Sequence, residues 1–520
     1  MPLLEPVELL APTELGGVHF IAVGGSGMNG IASMFLDLGV PVSGSDRNDS
    51  AYLRGLAARG ADVHVGHRAE QLGAAQTIVA SSAIREDNPE LAEARRRGLR
   101  VLHRSAALGS LMLGRRGVAI AGTHGKTTTT AMVAGALVGA GLDPSYVIGG
   151  SFTGAKSGGH LGTGDVMVVE ADESDGSFLQ YPAQVAVVTN VDPDHLSNWG
   201  TAQAYADGFE RFATGHDVAV LVVSADDPGA VELTAAVRRR AQESGGPEIV
   251  TFGQAVDADV RVTGATYAGT GSSFRLTRGG VGGPMTLDVP GVYNVSNAAA
   301  AYAVLTSLGV DDQTAREQLS TYAGTNRRFQ LVGTVDGVRV FDDYAHHPTE
   351  VAMTLRAART AVDGQADGGR VVAVLQPHLY TRTRDLFREL ADAASIADET
   401  VVMDVCGDRE DPIPGITGAL VADAVPAGTA HVTYEPDWDA AAPVVASIAR
   451  PGDLVVTLGC GDVTKVAPLI VDALAHRSDR SVRTSGSAAP QDDAPSAADE
   501  AAGLAGLPSG PTPGSAEEDA

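Results

Sequence analysis

AIAGTHGKTTTT, residues 119–130, is an apolar run that breaks into a glycine turn and then into a row of threonines. The run predicts a buried strand and the threonines the first turns of a helix, so Gly122, Thr123, His124 and Gly125 make the turn between them. Backbone N–H groups at such a turn wrap phosphate oxygens, Lys126 neutralises their charge, and the Thr127 hydroxyl reaches a magnesium ion. The loop is shorter than the full G-x-x-x-x-G-K-[ST] pattern, because Ile120 stands where its first glycine belongs. ATP is the natural ligand of this arrangement, and a strand–loop–helix of this kind belongs to a parallel α/β sheet. The plainer alternative is a glycine turn that only starts a helix; the G-K-T after an apolar strand argues against it.

Two further strand ends follow. VVEADESD, 168–175, delivers Glu170, Asp172, Glu173 and Asp175 to the end of an apolar run, and VVTNVDPDHLS, 187–197, does the same for Asn190, Asp192, Asp194 and His195. Carboxylates placed there suit magnesium, a hard cation that binds through one or two carboxylates plus nucleotide phosphates. In isolation the first stretch reads equally as a solvated acidic turn and the lone histidine as structural. Their shared position counts for more, since the carboxyl ends of the strands line the ligand crevice of an open α/β sheet. DVRVTGATYAGTGSSFRLTRGGVGGPMTLDVPG, 259–291, alternates apolar and polar residues between glycine turns and predicts antiparallel strands appended to that sheet. The helix NVSNAAAAYAVLTSLG closes a domain placed at 115–325.

On either side the chain alternates strands and helices again. Residues 15–114 read as a small doubly wound domain whose first loop, VGGSGMNG at 23–30, sets Gly25, Gly27 and Gly30 in a G-x-G-x-x-G. Asp46 lies about twenty residues on, where a ribose-binding acid sits in nicotinamide enzymes. Taken alone, this loop reads as a dehydrogenase. Residues 326–476 carry a third alternation, through VRVFDDYA, GRVVAVLQ, ETVVMDV, AHVTYE and GDLVVTLG. Residues 477–520 are poor in large apolar side chains and rich in Ser, Ala, Pro and acids, which predicts a disordered tail.

Composition bounds the function. The chain has 520 residues, 44% hydrophobic and 19% charged, which fits about three globular domains. A net charge of −27 argues against a nucleic-acid partner, which needs clustered Lys and Arg. Cys406 and Cys460 are the only cysteines, too few for a disulfide framework or a cysteine zinc site, and both read as structural. The leader MPLLEPVELLAPTELGG lacks a basic n-region and no apolar run is long enough to span a bilayer, so the expectation is a cytoplasmic enzyme without membrane insertion.

Taken together, GTHGKTTTT, EADESD, TNVDPDHLS, YNVSNAAAA, NRRFQ, DDYAHHPTE and QPHLYTRTRDLF, in this order over roughly residues 15–470, resemble the Mur ligase family. The resemblance implies three α/β domains: a Rossmann-like UDP-sugar-binding domain, a central P-loop ATPase domain with a parallel sheet and a small antiparallel one, and a Rossmann-like C-terminal domain. It also implies ATP-dependent ligation of L-alanine to UDP-N-acetylmuramate through an acyl phosphate, an early step of peptidoglycan synthesis. ATP and Mg2+ are the implied cofactors, with two ions and Mn2+ able to substitute, and the chain is expected to act as a monomer or homodimer.

By position in those motifs, Lys126, Glu170 and His195 are the implied catalytic residues. Gly122, Thr123, His124, Gly125, Lys126, Thr127, Thr128, Asn294, Asn297, Arg328 and Asp343 would surround ATP, with Thr127 and Glu170 on one magnesium and Glu170 with His195 on a second. The first glycine loop becomes a cradle for the UDP diphosphate, lined by Gly25, Ser26, Gly27 and Met28, with Asp46, His67, Ser82 and Arg104 completing the sugar-nucleotide site. Tyr344, His346, His378 and Arg382 would wall the amino-acid site, Arg382 pairing its carboxylate; His347 and Tyr380 read as either wall or structure. The sequence departs from many relatives at Leu379, where they carry arginine, which leaves acceptance of glycine or L-serine open. A loop at Gly407–Gly418 resembles one beside the alanine site. The competing readings are a relative that joins a preformed peptide to the same sugar nucleotide, a nicotinamide oxidoreductase, which leaves Lys126, Glu170 and His195 idle, and a nucleotide sensor without catalysis.

Overall fold

The computed structural model describes residues 3–150, 158–363, 368–408 and 410–485. Three sheets succeed one another along the chain. The first contains β1 (Val18–Ile21), β2 (Val42–Asp46), β3 (Asp62–Val65), β4 (Thr77–Ala80) and β5 (Arg100–His103), in the order β3-β2-β1-β4-β5 with every pair parallel. β1 is buried along its whole length, as an inner strand of a sheet covered on both faces must be.

The second sheet has ten strands: β6 (Arg116–Ala121), β7 (Ser145–Val147), β8 (Gly159–His160), β9 (Val166–Glu170), β10 (Val185–Val188), β11 (Val220–Ser224), β12 (Glu248–Gly253), β13 (Val260–Ala268), β14 (Gly271–Arg278) and β15 (Val281–Leu287). Its order, β15-β14-β13-β12-β11-β10-β6-β9-β7-β8, places β6 between β10 and β9, so the three strand ends picked out in the sequence lie side by side. β13, β14 and β15 pair antiparallel, as their alternation predicts: Phe274 and Leu276 of β14 are buried while Ser273 and Arg275 face out. Against this sheet pack two helices, Lys126–Gly139 and Val292–Ser307, in one apolar cluster. The second buries Ala298, Ala299, Ala300 and Ala301, side chains small enough to let the two backbones approach closely.

The third sheet comprises β16 (Gln330–Val335), β17 (Val338–Asp343), β18 (Val371–Leu375), β19 (Glu399–Val402), β20 (His431–Tyr434) and β21 (Leu454–Leu458), in the order β16-β17-β21-β18-β19-β20. All pairs are parallel except β16 with β17. The sequence reading passed over β16, β7 and β8. β16 is an edge strand exposed along most of its length, and the other two are only three and two residues long, so none shows an apolar run.

The three sheets lie within one compact unit, Met1–His476. The helix Val466–Ser485 buries Val466, Ile470 and Leu474 and runs on past His476, where that unit ends and the tail is expected to begin. The rest of the expected tail, 486–520, lies outside the described residues. No helix among the described residues is long and apolar enough to cross a membrane. At the other end, the Leu4 amide donates to the Asp175 carbonyl and Val7 exchanges hydrogen bonds with the Gln180 side chain, strapping the N-terminal segment to the central domain.

Candidate active site

The phosphate loop is held from three sides. Gly122 has φ +133° and Gly125 φ +84°; a Cβ on the first would lie 1.9 Å from Thr189 Oγ1 and on the second 2.5 Å from Asn297 Oδ1, so backbone and space both require glycine. The His124 amide donates to Asn190 Oδ1 at 2.8 Å, and Thr189 Oγ1 donates to the His124 carbonyl at 2.6 Å. Thr123 Oγ1 donates to the Asp192 carbonyl and meets Tyr205 OH, both at 2.8 Å. Tyr205 belongs to a cluster of edge-on and stacked rings with Trp199, Phe178, Phe209 and Phe212, and the Trp199 indole N–H donates to the Glu173 carbonyl at 2.9 Å. One aromatic core thus positions both the loop and the acidic strand end.

Lys126 turns back over the loop, its Nζ donating to the Gly122 and Thr123 carbonyls and lying 2.8 Å from Glu173 Oε2. Burial opposes its charge, but Glu173 and Asp172 outweigh burial and hold the ammonium above its ordinary pKa. Glu173 is fully buried, and burial pushes it up to about 7 against the attraction of Lys126. Next to this pair, Thr127 Oγ1 donates to Glu170 Oε1 and the Gly149 amide to Glu170 Oε2, each at 2.8 Å. A hydroxyl and a carboxylate so close offer the hard oxygen donors that magnesium takes.

His195, in a left-handed conformation at φ +54°, turns its Nε2 toward Asp194 Oδ2 at 3.4 Å and Glu173 Oε1 at 3.9 Å. The structure therefore brings Thr127 to Glu170 and His195 to Glu173. Glu173 sits in the quoted acidic stretch without an assigned role, because nothing in the spacing says which of its four carboxylates turns inward. Burial holds His195 below its usual pKa against the pull of Asp194, leaving a neutral imidazole with a lone pair to give.

The third domain reaches this centre through two adjacent arginines. Arg327 anchors to the Gly459 carbonyl at 2.9 Å, whereas Arg328 donates to Thr127 Oγ1 at 3.3 Å, and both guanidinium groups lie over the Tyr344 ring, 4.8 and 4.9 Å from its centroid. Tyr344 stands edge-on to His346, which stands edge-on to His378. Arg382 lies 3.9 Å from Asp194. Tyr344, His346 and His378 thus form a chain of rings, and Arg382 faces Asp194 of the central domain. Leu379 is nearly buried and, with φ +67°, starts the helix Tyr380–Ala394. Glu410, from the 407–418 loop, accepts from the Thr381 amide at 2.9 Å and fastens that loop to the same helix. Burial pushes the Cys460 thiol up to about 12, which disfavours the reactive thiolate.

Asp343 lines the cavity beside the phosphate loop, and its carboxylate accepts from its own chain. The Phe329 and Ala345 amides donate to it at 2.7 and 2.8 Å, and burial raises it to about 6. Glu350 is the residue that sequence reasoning missed. Its Oε1 lies 3.2 Å from His124 Nδ1, and its Oε2 accepts from the His346 amide at 3.2 Å. The available signal was an acid at the third position of a helix opening on Pro348, the place from which a side chain caps the preceding amides. On its other side His124 Nε2 lies 3.3 Å from Asp192 Oδ2; although burial opposes it, the two carboxylates raise His124 to about 9. Asn294 and Asn297, buried on the helix Val292–Ser307, line with Gly125, Thr128 and Arg328 a cavity of about 1110 Å³.

The first-domain loop is built differently. Among the described residues, a Cβ on Gly27 would meet nothing within 4 Å and one on Gly25 only the Ala22 carbonyl at 3.9 Å, whereas Gly30 is pressed against Gly159 of β8 at 3.1 Å. Met28 is buried beneath the loop; the Ser26 side chain lies outside the described residues. Asp46 accepts from the Gly24 amide at 2.8 Å, and His67 joins Ser45 and the buried Glu90, which His19 also meets at 3.3 Å. Asp46 and His67 thus brace the domain. Ser82 and Arg104 cross to the central domain instead: Ser82 Oγ donates to Asp175 Oδ2 at 2.5 Å and Arg104 to Asp172 Oδ2 at 2.9 Å. Arg104 and Lys126 keep the half-buried Asp172 well below the usual carboxylate range against the effect of burial.

Comparison with known proteins agrees with this architecture. Residues 17–116 match the family model "Mur ligase family, catalytic domain", 120–305 "Mur ligase middle domain" and 327–461 "Mur ligase, glutamate ligase domain". The chain is 55% identical over 474 residues to a UDP-N-acetylmuramate--L-alanine ligase of Cutibacterium acnes, covering 91% of this chain and 99% of that one. It is 50% identical to the enzyme of the same name from Thermobifida fusca, covering 91% and 100%. Among solved structures, the UDP-N-acetylmuramate-alanine ligase MurC of Thermotoga maritima superposes with a TM-score of 0.73 at 26% identity, over 89% of this chain and 99% of that one. A murein peptide ligase of Psychrobacter arcticus, at 24% identity and a TM-score of 0.65, shares the fold.

Proposed function

The chain belongs to the Mur ligase family, and from that premise we propose that it joins L-alanine to UDP-N-acetylmuramate in an ATP-dependent reaction of the cytoplasm, acting as a monomer or homodimer. The lactoyl carboxylate attacks the γ-phosphorus of ATP, giving an acyl phosphate and ADP. The alanine amine then attacks the acyl carbon, loses a proton, and phosphate leaves with its C–O bond pair. The product is UDP-N-acetylmuramoyl-L-alanine.

In this reading Lys126 leaves the Gly122 and Thr123 carbonyls to hold the β- and γ-phosphates, and the loop amides of residues 123–128 surround them. Asn294 and Asn297 face adenine. Thr127, Glu170 and His195 hold two magnesium ions, replaceable by manganese, which when bound offset the charge of two approaching anions. Glu173, between Lys126 and His195, orients both. Gly25, Gly27 and Met28 present the first-domain helix start to the UDP diphosphate, with Ser82 and Arg104 toward the sugar. Arg382 pairs with the alanine carboxylate, and Tyr344, His346 and His378 limit the room for its side chain.

What supports this reading above all is the Arg328 contact with Thr127, because it sets the third-domain wall directly against the phosphate loop. The test is phosphate release from ATP and magnesium with UDP-N-acetylmuramate, supplying L-alanine, glycine, L-serine or a tripeptide as acceptor. The expected result is release that requires both the sugar nucleotide and L-alanine. Release with the tripeptide alone, or none with any acceptor, overturns it.

A further inference from the structure

His124, Asp192 and His347 each offer a ligating atom, and the three atoms lie within 4.8 Å of one another. We propose that they form a site for a borderline divalent metal of the Zn2+ type, separate from the magnesium position at Thr127 and Glu170, whose occupation fastens the third domain to the phosphate loop.

The donor chemistry points away from magnesium. Two imidazoles and one carboxylate are the set that zinc takes, whereas magnesium demands near-octahedral oxygen. The spacing agrees: His124 Nε2 and Asp192 Oδ2 are 3.3 Å apart, close to the separation of two ligands each about 2.0–2.1 Å from a tetrahedral ion. The His124 and His347 rings are 5.5 Å apart between centroids and tilted by 36°, so both rings border the same gap. Glu350 Oε1, 3.2 Å from His124 Nδ1, supplies the outer carboxylate that takes the proton on one ring nitrogen and leaves the other free to ligate. Thr349 Oγ1 donates to Asp192 Oδ2 at 3.2 Å and orients that carboxylate in the same way. The Thr349 amide contact to His347 Nδ1, at 3.4 Å, is long and readily given up should that nitrogen ligate.

The ligands come from two domains. His124 and Asp192 belong to the loop and to the end of β10, and His347 to the turn after β17. In the absence of metal the His124 imidazolium gives one N–H to Asp192 and the other to Glu350; zinc would displace the Nε2 proton alone, exchanging the hydrogen bond to Asp192 for coordinate bonds across the same gap and leaving the one to Glu350 in place.

The test does not depend on the ligase reading. Untagged full-length chain, free of nucleotide and in millimolar magnesium, is titrated with Zn2+ in competition with a chromophoric zinc indicator. The expected result is one Zn2+ per chain, weakened by at least about tenfold in His347→Ala, in His347→Gln and in Asp192→Asn, and unchanged in a Cys406→Ser/Cys460→Ser double variant. Zinc should also slow proteolytic cleavage of the wild type more than of His347→Gln. No zinc bound at micromolar concentration, or binding that all three single variants retain, or that only the cysteine variant loses, overturns the proposal.

Discussion

The two glycine loops look alike in sequence and differ in what surrounds them. Each follows an apolar strand and opens a helix. Around Gly122 and Gly125 the chain itself closes in: Thr189 and Asn297 occupy the space a Cβ would need, and a lysine, a threonine and two carboxylates converge within hydrogen-bond reach. Around Gly25 and Gly27 no described side chain closes in, while Gly30 packs on Gly159 of the neighbouring domain. The lesson is that a glycine pattern reports a close approach of backbone to something. In the central loop that something includes the protein, at Gly30 it is another domain, and only at Gly25 and Gly27 is room left for a ligand alone.

The largest expected effect separates the loops by chemistry. Lys126→Ala removes the charge proposed to meet the transferred phosphoryl group, so kcat should fall by about 10³-fold or more, as when a preorganised electrostatic donor is lost. The KM for the sugar nucleotide should stay near wild type. Glu173, deprived of its partner, is already poised near 7 and takes up a proton, so the fold persists. Substantial turnover in this variant would remove Lys126 from the mechanism. Glu170→Ala should sharply raise the magnesium needed for half-maximal rate; an unchanged titration would take it off the metal site. Gly122→Ala, forced to φ +133° with a methyl 1.9 Å from Thr189, should destabilise by about 2–3 kcal/mol, read by denaturant unfolding.

Legibility follows the same division. The centre of the site was readable because Lys126, Glu170, Glu173 and His195 all follow apolar strands, and adjacent parallel strands put those ends together. Partnerships formed across the chain were not. Glu173 meets Lys126 from another strand end, and Glu350 meets His124 from the third domain, more than two hundred positions along the sequence. Asp46, His67 and Asp343 also hold local amides or buried neighbours, and no spacing reveals such contacts. β16 escaped for the opposite reason: an exposed edge strand paired by backbone alone leaves no apolar trace.

The junction between the two loops carries a pH dependence. His103, beside Ser82 and Asp175, is held at about 4 by burial, against the pull of Asp175. Its folded pKa lies below the unfolded value of about 6.5, so between those values the unfolded chain binds the extra proton. Stability should therefore fall as the pH drops from about 6.5 toward 4, by up to about 3 kcal/mol from this group. His346, also held at about 4 by burial, adds to the same window. His103→Gln should flatten the His103 share of the slope in denaturant unfolding at pH 7, 6 and 5; an unchanged slope would mean that the ring is not buried neutral.

The smallest effect is the most discriminating. Gly27 lies in the helix Ser26–Asp37 with ordinary helical backbone and open space where a Cβ would go. Alanine there gains helix propensity of about 0.5–1 kcal/mol. The same Gly→Ala change that damages the fold at Gly122 should thus leave it as stable or slightly more so at Gly27. Function should move the other way, because a methyl in the one open stretch of the loop stands where the diphosphate would lie. The expected signature is a raised KM for UDP-N-acetylmuramate, with the KM for ATP unchanged and the melting temperature equal to or above wild type. If Gly27→Ala leaves the KM for the sugar nucleotide untouched, the open space beside that glycine is only solvent, and the diphosphate must be sought elsewhere in the first domain.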